Sequence, residues 1–475
     1  MKSMKSMKSY KRISMFMMTV VASFSLLLAP ANSFAAVDQS QGNWLKNNAH
    51  EIKSLKSDDF SDLSFLKPLL KDKTVVSLGE NFHRVAEYSE IKTRLIKYLH
   101  EELGFDVIAF ESGMGDAAAV YENRDSLSPE AMMTSSIFPI WHSEETLELF
   151  DYIKQQGKGD KPLYLAGYDM QFTSSYLTQF IAGGIAKLDL DKGKNFLQFE
   201  LQAMTDFYEV LNKYGMGSKD PAYRTEMQKV IDTYEPQYQE VIKFIEEHRV
   251  ELTEKLAAIY PDQPLICDIY LKSLSDHVEF LKSGLDDVTN AYSSRDQLMA
   301  DNLDWVMKTL YPGKKVILWA HNDHLAKNTS GIRVKEDGNW IYSFTSMGQL
   351  LHQKLQDKMY VIGLYMNQGE SVTISSYKPF TIQPATKGSL EQLVMQSGYT
   401  NTFIDFTQHK VKNDDNAWMF RHIYASEDGL TAEEVRPNVM RFIPNQQYDG
   451  VIVVDKVKAP TPIDYSKVKF GIETE

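Results

Sequence analysis

Five short apolar runs set the frame of this chain: "TVVSLG" (residues 74–79), "FDVIAF" (105–110), "PLYLAG" (162–167), "KVILWA" (315–320) and "MYVIGLY" (359–365). Each is rich in β-branched and aromatic residues and lacks the apolar/polar alternation of a half-exposed strand. Each therefore predicts a strand buried on both faces of a parallel sheet. Between the first three runs apolar residues recur at helical spacing, as at Tyr88, Ile91, Leu95 and Leu99, and Gly104 stands where that helix should stop. Strand alternating with helix predicts an α/β fold, a layered and mostly parallel sheet flanked by helices.

The stretch from 195 to 310 reads differently. Leu197, Leu201, Met204, Tyr208 and Leu211 form one helical stripe, and Met227, Ile231, Tyr234, Tyr238, Ile242 and Ile245 form another. Pro236 predicts a kink or break in the second. The expectation is an all-helical lobe (195–310) inserted between two parts of an α/β core (36–194 and 311–475). Past residue 366, "SVTISSY", "NTFIDF" and "DGVIVVDKV" predict further strands, the last returning to the sheet.

With 475 residues, 43% of them hydrophobic, the chain has ample material for a large core. Its net charge is −13, and the first 35 residues carry Lys2, Lys5, Lys8, Lys11 and Arg12 with no acid, so the remainder carries −18. That balance repels nucleic acid and anionic membrane surfaces. The basic head, the apolar stretch from Ile13 to Ala29 and the small residues of Ser33-Phe34-Ala35 predict a cleaved secretory leader over 1–35, hence a secreted chain with no stable membrane insertion. The single cysteine, Cys267, sits among apolar residues and predicts a buried, inert thiol.

In a parallel sheet ligands bind beyond the carboxyl ends of the strands, so the residue after each run is the informative one. Glu80 follows the first run, Glu111 the second, Asp169 the third, and His321 and His324 the fourth; His83 stands three residues beyond Glu80. One such residue is commonly a solvated loop or cap residue, but the repetition at one predicted edge points to a site. The chemistry that suits it is proton transfer. A neutral imidazole is a usable base near neutral pH, and a neighbouring carboxylate fixes its tautomer. His83 could deprotonate a water, with Glu80 or Glu111 orienting it and His321 or His324 acting on the carbonyl or leaving group. His83 equally suits a cap on the following helix, and local sequence leaves both readings open. There is no G-x-S-x-G elbow, no P-loop and no dinucleotide fingerprint. Zinc stays open as an alternative, since "HNDH" with Glu80, His83 and Glu111 offers nitrogen and oxygen ligands.

Taken together, "VVSLGENFH", "LGFDVIAFESG", "WHSEETLELFDYI", "LYLAGYDMQ", "SSRDQLMADNLDWV", "VILWAHNDHLAK" and "TSMGQLL" resemble, in this order, the erythromycin esterase family over roughly residues 44–457. The resemblance implies ester or lactone hydrolysis by histidine-activated water, with no covalent intermediate and no obligatory cofactor. It makes His83 the general base, Glu80 and Glu111 its supporting acids, and His321 and His324 the histidines across the cleft. Arg295 and Asp296 fall on the matching "RD" and would hold substrate or stabilise an oxyanion. Macrolide esterases of this family can carry an arginine in the helix after the GExxH turn. This chain has Lys92, with Arg94 two residues on, so Lys92, Arg94 and Asp169 complete the substrate-binding candidates. A lysine lacks the planar fork of arginine, which implies a different substrate group. The family also holds exported members labelled by analogy with succinoglycan biosynthesis. The implied partner is a small-molecule ester or lactone. The alternatives are a metal-dependent hydrolase at the same site and a non-catalytic extracellular binding protein.

Overall fold

The computed structural model describes residues 31–336, 338–428 and 433–468. Residues 1–30, most of the predicted leader, lie outside the described residues, and no described helix is long and apolar enough to cross a membrane. The strands, in chain order, are β1 (Ala49–Glu51), β2 (Val75–Leu78), β3 (Val107–Gly113), β4 (Tyr164–Asp169), β5 (Val316–Trp319), β6 (Arg333–Glu336), β7 (Asn339–Tyr342), β8 (Met359–Val372), β9 (Pro379–Ile382), β10 (Asn401–Asp405), β11 (Ile423–Glu427), β12 (Arg436–Phe442) and β13 (Gly450–Val457). The five apolar runs supply β2, β3, β4, β5 and β8.

The main sheet has the order β1-β10-β13-β8-β2-β5-β3-β4. It is parallel from β13 through β4 and antiparallel at the β1–β10 and β10–β13 pairs, while β9 adds antiparallel to the end of β8. β11, β12, β6 and β7 form a separate antiparallel sheet. Side chains of the central strands alternate between two cores. Val76, Leu78, Ile108, Phe110, Ile317 and Trp319 enter one, and Val75, Val107, Ala109, Val316 and Leu318 enter the other. Each fully buried aliphatic or aromatic side chain contributes about 1.5–3 kcal/mol, so both faces of these strands must be apolar. The helix Ala86–Leu103 follows β2 in the chain, packs against the helix Glu144–Gln156 and β13, and stops at Gly104, whose φ of 65° belongs to the left-handed region.

Between β4 and β5 every described regular element is a helix, beginning with Tyr176–Ile185 and Leu190–Tyr214 and ending with Val288–Trp305 and the π-helical turn Val306–Leu310. Three expectations need correction here and beyond. The buried face of Leu190–Tyr214 is Phe196, Glu200, Ala203, Phe207 and Val210, one position away from the predicted stripe, whose Leu201 and Tyr208 are exposed. The buried face includes a charge, because Glu200 pairs with His277 at 2.7 Å, and an all-apolar template passes over it. Of the kink or break expected at Pro236, the break does not occur, because the helix Pro221–Glu247 runs on through it. Burial of Tyr234 and Tyr238 on either side outweighs the lost backbone bond. Finally, only Ser371 and Val372 of "SVTISSY" are strand, as the end of β8; the remainder is a turn in which Tyr377 has a φ of 54°.

Candidate active site

The loops that leave β2 and β5 at their carboxyl ends are tied together before any functional side chain is placed. The Asn322 amide donates to the Glu80 carbonyl at 2.7 Å, and the Gly79 and Asn81 amides donate to Ile362 and Leu364 of β8. A Cβ on Gly79 would come within 2.1 Å of Asn322 Oδ1, so only glycine permits this approach. A register shift between Phe110 and Gly113 bulges β3 against β4 at Glu111.

Glu80 is held by three donors. Trp141 Nε1 donates to Oε1 at 2.6 Å, Lys92 Nζ donates to Oε2 at 2.5 Å, and His83 Nδ1 lies 2.8 Å from Oε1. Burial raises the Glu80 carboxyl, but Lys92 and His83 outweigh it and hold the group below its usual range. An ionised Glu80 accepts from His83 Nδ1–H, which leaves the lone pair of Nε2 available. Burial lowers the His83 pKa below 6.5, with Glu80 offsetting only part of that, so the ring is neutral at neutral pH. Its side chain keeps 16% of its exposure while Glu80 keeps 1%. The ring is wedged edge-on against Trp141 and tilted against His321, with centroids 5.2 and 5.0 Å away. Burial brings Lys92 down to about 8 against the pull of Glu80, so Lys92 is a cation at neutral pH and loses its proton after Glu80 and His83 as pH rises.

His324 has the opposite surroundings. Its Nδ1 lies 2.8 Å from Asp296 Oδ2 and its Nε2 3.1 Å from Glu111 Oε1. Burial lowers its pKa, but the two carboxylates more than reverse that and bring it to about 10. His324 is therefore an imidazolium with both nitrogens engaged. Glu111 also accepts from Arg295 Nη2 at 2.8 Å and from the His321 amide at 3.0 Å. Burial raises Glu111, yet His324 and Arg295 carry it well below the usual carboxylate range. Arg295 reaches in from the helix Val288–Trp305, pairs with Asp169 through Nε and Nη2, and keeps 13% of its side-chain exposure. Three acids and two cations thus interlock at the ends of β3, β4 and β5.

Of the candidates read from sequence, Glu80, His83, Glu111, Asp169, Arg295, Asp296, His321 and His324 come together. Asp169 and Asp296 are buried holders of Arg295 and His324. Lys92 joins from inside the fold as the fully buried partner of Glu80, with its ammonium 4.6 Å from the Trp319 ring centre. Arg94 is a correction. Its guanidinium donates to the carbonyls of Ser54, Ser57 and Asp59 and to Asp62, away from the cluster, because residues 92 and 94 leave a helix about 200° apart. Sequence reasoning passed over Trp141, inside the quoted "WHSEE", and Glu427 and Asp428 beside His321. β11 alternates buried Ile423, Ala425 and Glu427, so Glu427 was detectable as an acid at an inward position. Cavities of about 640 and 750 Å³ lie elsewhere, and none of these side chains lines either.

The profile of the erythromycin esterase family matches residues 100–457. This chain belongs to the erythromycin esterase family. YbfO of Bacillus subtilis (strain 168), which carries a provisional hydrolase name, is 33% identical over 94% of this chain and 97% of its own length. Erythromycin esterase type II from Escherichia coli is 22% identical over 76% of this chain and 88% of its own. Among solved structures, one described as a succinoglycan biosynthesis protein superposes with a TM-score of 0.64 at 18% identity, covering 90% of this chain and 99% of that one. An erythromycin esterase variant in its open conformation superposes with a TM-score of 0.52 at 17% identity, covering 88% and 99%. As a family member the chain is a hydrolase of the esterase type, which acts on a small molecule.

Proposed function

We propose that this erythromycin esterase relative cleaves an ester or lactone by direct attack of a water activated by His83. The observation that carries the reading is the contrast within one cluster: His83 alone among the gathered histidines couples an ionised carboxylate at Nδ1 to an unengaged Nε2 with solvent access. In the step, Nε2 takes a proton from water as the oxygen adds to the carbonyl carbon. The carbonyl electron pair moves onto oxygen, and Arg295, the cation of the cluster with solvent access, is the residue suited to stabilise that charge. Collapse of the tetrahedral species breaks the bond to the alkoxide, which takes the proton back from His83. Glu80 holds the imidazole tautomer and stabilises the imidazolium. Trp141 and Lys92 hold Glu80.

The second part of the proposal is export. The basic and apolar leader supports removal of residues 1–35 and secretion, with the substrate met outside the cytoplasm. Lys92, directed at Glu80, gives no planar fork to a substrate, which supports a substrate other than the macrolides. Incubation with a panel of esters, lactones and a macrolide, followed by mass spectrometry, tests the reading. Gain of one water by the wild type and not by folded His83→Ala supports it, and equal turnover by both refutes it. The mass of the protein recovered from culture medium tests the leader.

A further inference from the structure

His321 faces a second group of acids that hydrolysis leaves without a role. Glu427 ends β11, Asp428 follows it, and Asp323 lies on the turn after β5. His321 Nε2 is 3.0 Å from Glu427 Oε1 and 3.4 Å from Asp428 Oδ1. The donor atoms of these three residues all lie within 4.8 Å of one another. His321, Glu427 and Asp428 are 5%, 0% and 7% exposed, yet Nε2, both Glu427 oxygens and Asp428 Oδ1 make no hydrogen bond to any of the described residues. Among the described residues no lysine or arginine side chain forms an ion pair with either acid, and the Arg436 guanidinium goes to the Asp428 carbonyl and to Glu336. Buried polar atoms without partners are destabilising, and a bound cation would relieve them.

We propose that His321, Glu427 and Asp428 bind one first-row divalent cation of the zinc or manganese type. Bonds of about 2.0–2.2 Å meeting at roughly 90–110° hold ligand atoms about 2.9–3.5 Å apart, which is the spacing seen from Nε2 to both carboxylates. A ring N–H donating to a carboxylate would give similar distances, but Nε2 is not oriented to make that bond. In the bare ring Nδ1 accepts from the Asp323 amide at 3.2 Å; ligation through Nε2 moves the ring proton to Nδ1 and replaces that contact.

This set differs from the zinc shell drawn from sequence. There Glu80, Glu111 and His324 already have donors or acceptors at the atoms a metal would need. Three protein ligands leave coordination positions open to water or a substrate oxygen, beside the His83 ring. Binding itself does not depend on the hydrolytic reading.

The test uses the full chain without a polyhistidine tag, stripped by chelator and titrated calorimetrically with zinc and with manganese. Glu427→Gln and Asp428→Asn are run in parallel, and His248→Gln controls for zinc on other histidines. The expected result is one equivalent bound, a raised unfolding temperature, and affinity weakened roughly 100-fold or more in both acid variants. Absence of stoichiometric binding of either metal overturns the proposal, as does undiminished binding in both variants. Should the variants fail to fold, pulsed electron paramagnetic resonance of the manganese-loaded wild type decides: nitrogen coupling supports the His321 ligand, and its absence overturns it.

Discussion

His83 and His324 stand at neighbouring strand ends, both held against carboxylates, and differ in one respect on which the roles proposed for them rest. His324 has an acid at each nitrogen and is fixed as a cation. His83 has an acid at one nitrogen only, and that acid is already neutralised by Lys92 and restrained by Trp141. The number of unshared carboxylates facing an imidazole, rather than its burial, separates a base from a brace. Histidine in a conspicuous motif is therefore weak grounds for a catalytic role until both nitrogens have been accounted for.

The largest expected effect breaks the His83 side of this pair. His83→Ala should lower turnover by about 10²–10⁴ with an unchanged circular dichroism spectrum. The next breaks the other side through stability. Glu111→Gln leaves His324 and Arg295 facing one another with less negative charge, and should destabilise the fold by about 3–5 kcal/mol in denaturant unfolding. Trp141→Phe sharpens the comparison more gently. Removing one donor concentrates negative charge on Glu80, so the acid limb of the kcat/KM profile should move upward in pH, with a loss of roughly tenfold in rate. The smallest effect concerns pH and stability. The folded pKa of His324, about 10, lies above its unfolded value of 6.5, so its contribution is complete below 6.5 and is lost as pH rises towards 10. His324→Gln should flatten the decline in unfolding temperature across that window.

The parallel core was legible because its strands are buried on both faces, which writes them as unbroken apolar runs, and the site was legible because those runs end in charge. The strands of the smaller sheet were not. "RVKE" and "RPNVMRF" mix charges with buried positions, and "NWIY" is buried at no position, so none matches an apolar template. Helix faces were misread where a polar residue is buried with a partner distant in sequence, as Glu200 is with His277. The same limit applies to Arg94, whose partners lie 32–40 residues upstream. It applies also to Glu427, which meets His321 only once two sheets are assembled. Charge pairs across long separations leave no local periodicity.

The most direct measurement is the ¹⁵N chemical shift of both nitrogens of His83 and His324 between about pH 5 and about pH 9, assigned with His83→Gln and His324→Gln. The account predicts that at neutral pH His83 shows a protonated Nδ1 and a bare Nε2, having lost its second proton below pH 6.5, while His324 keeps both protons throughout. A charged His83 beside a neutral His324 at pH 7 would contradict it and reverse the roles assigned to the two rings.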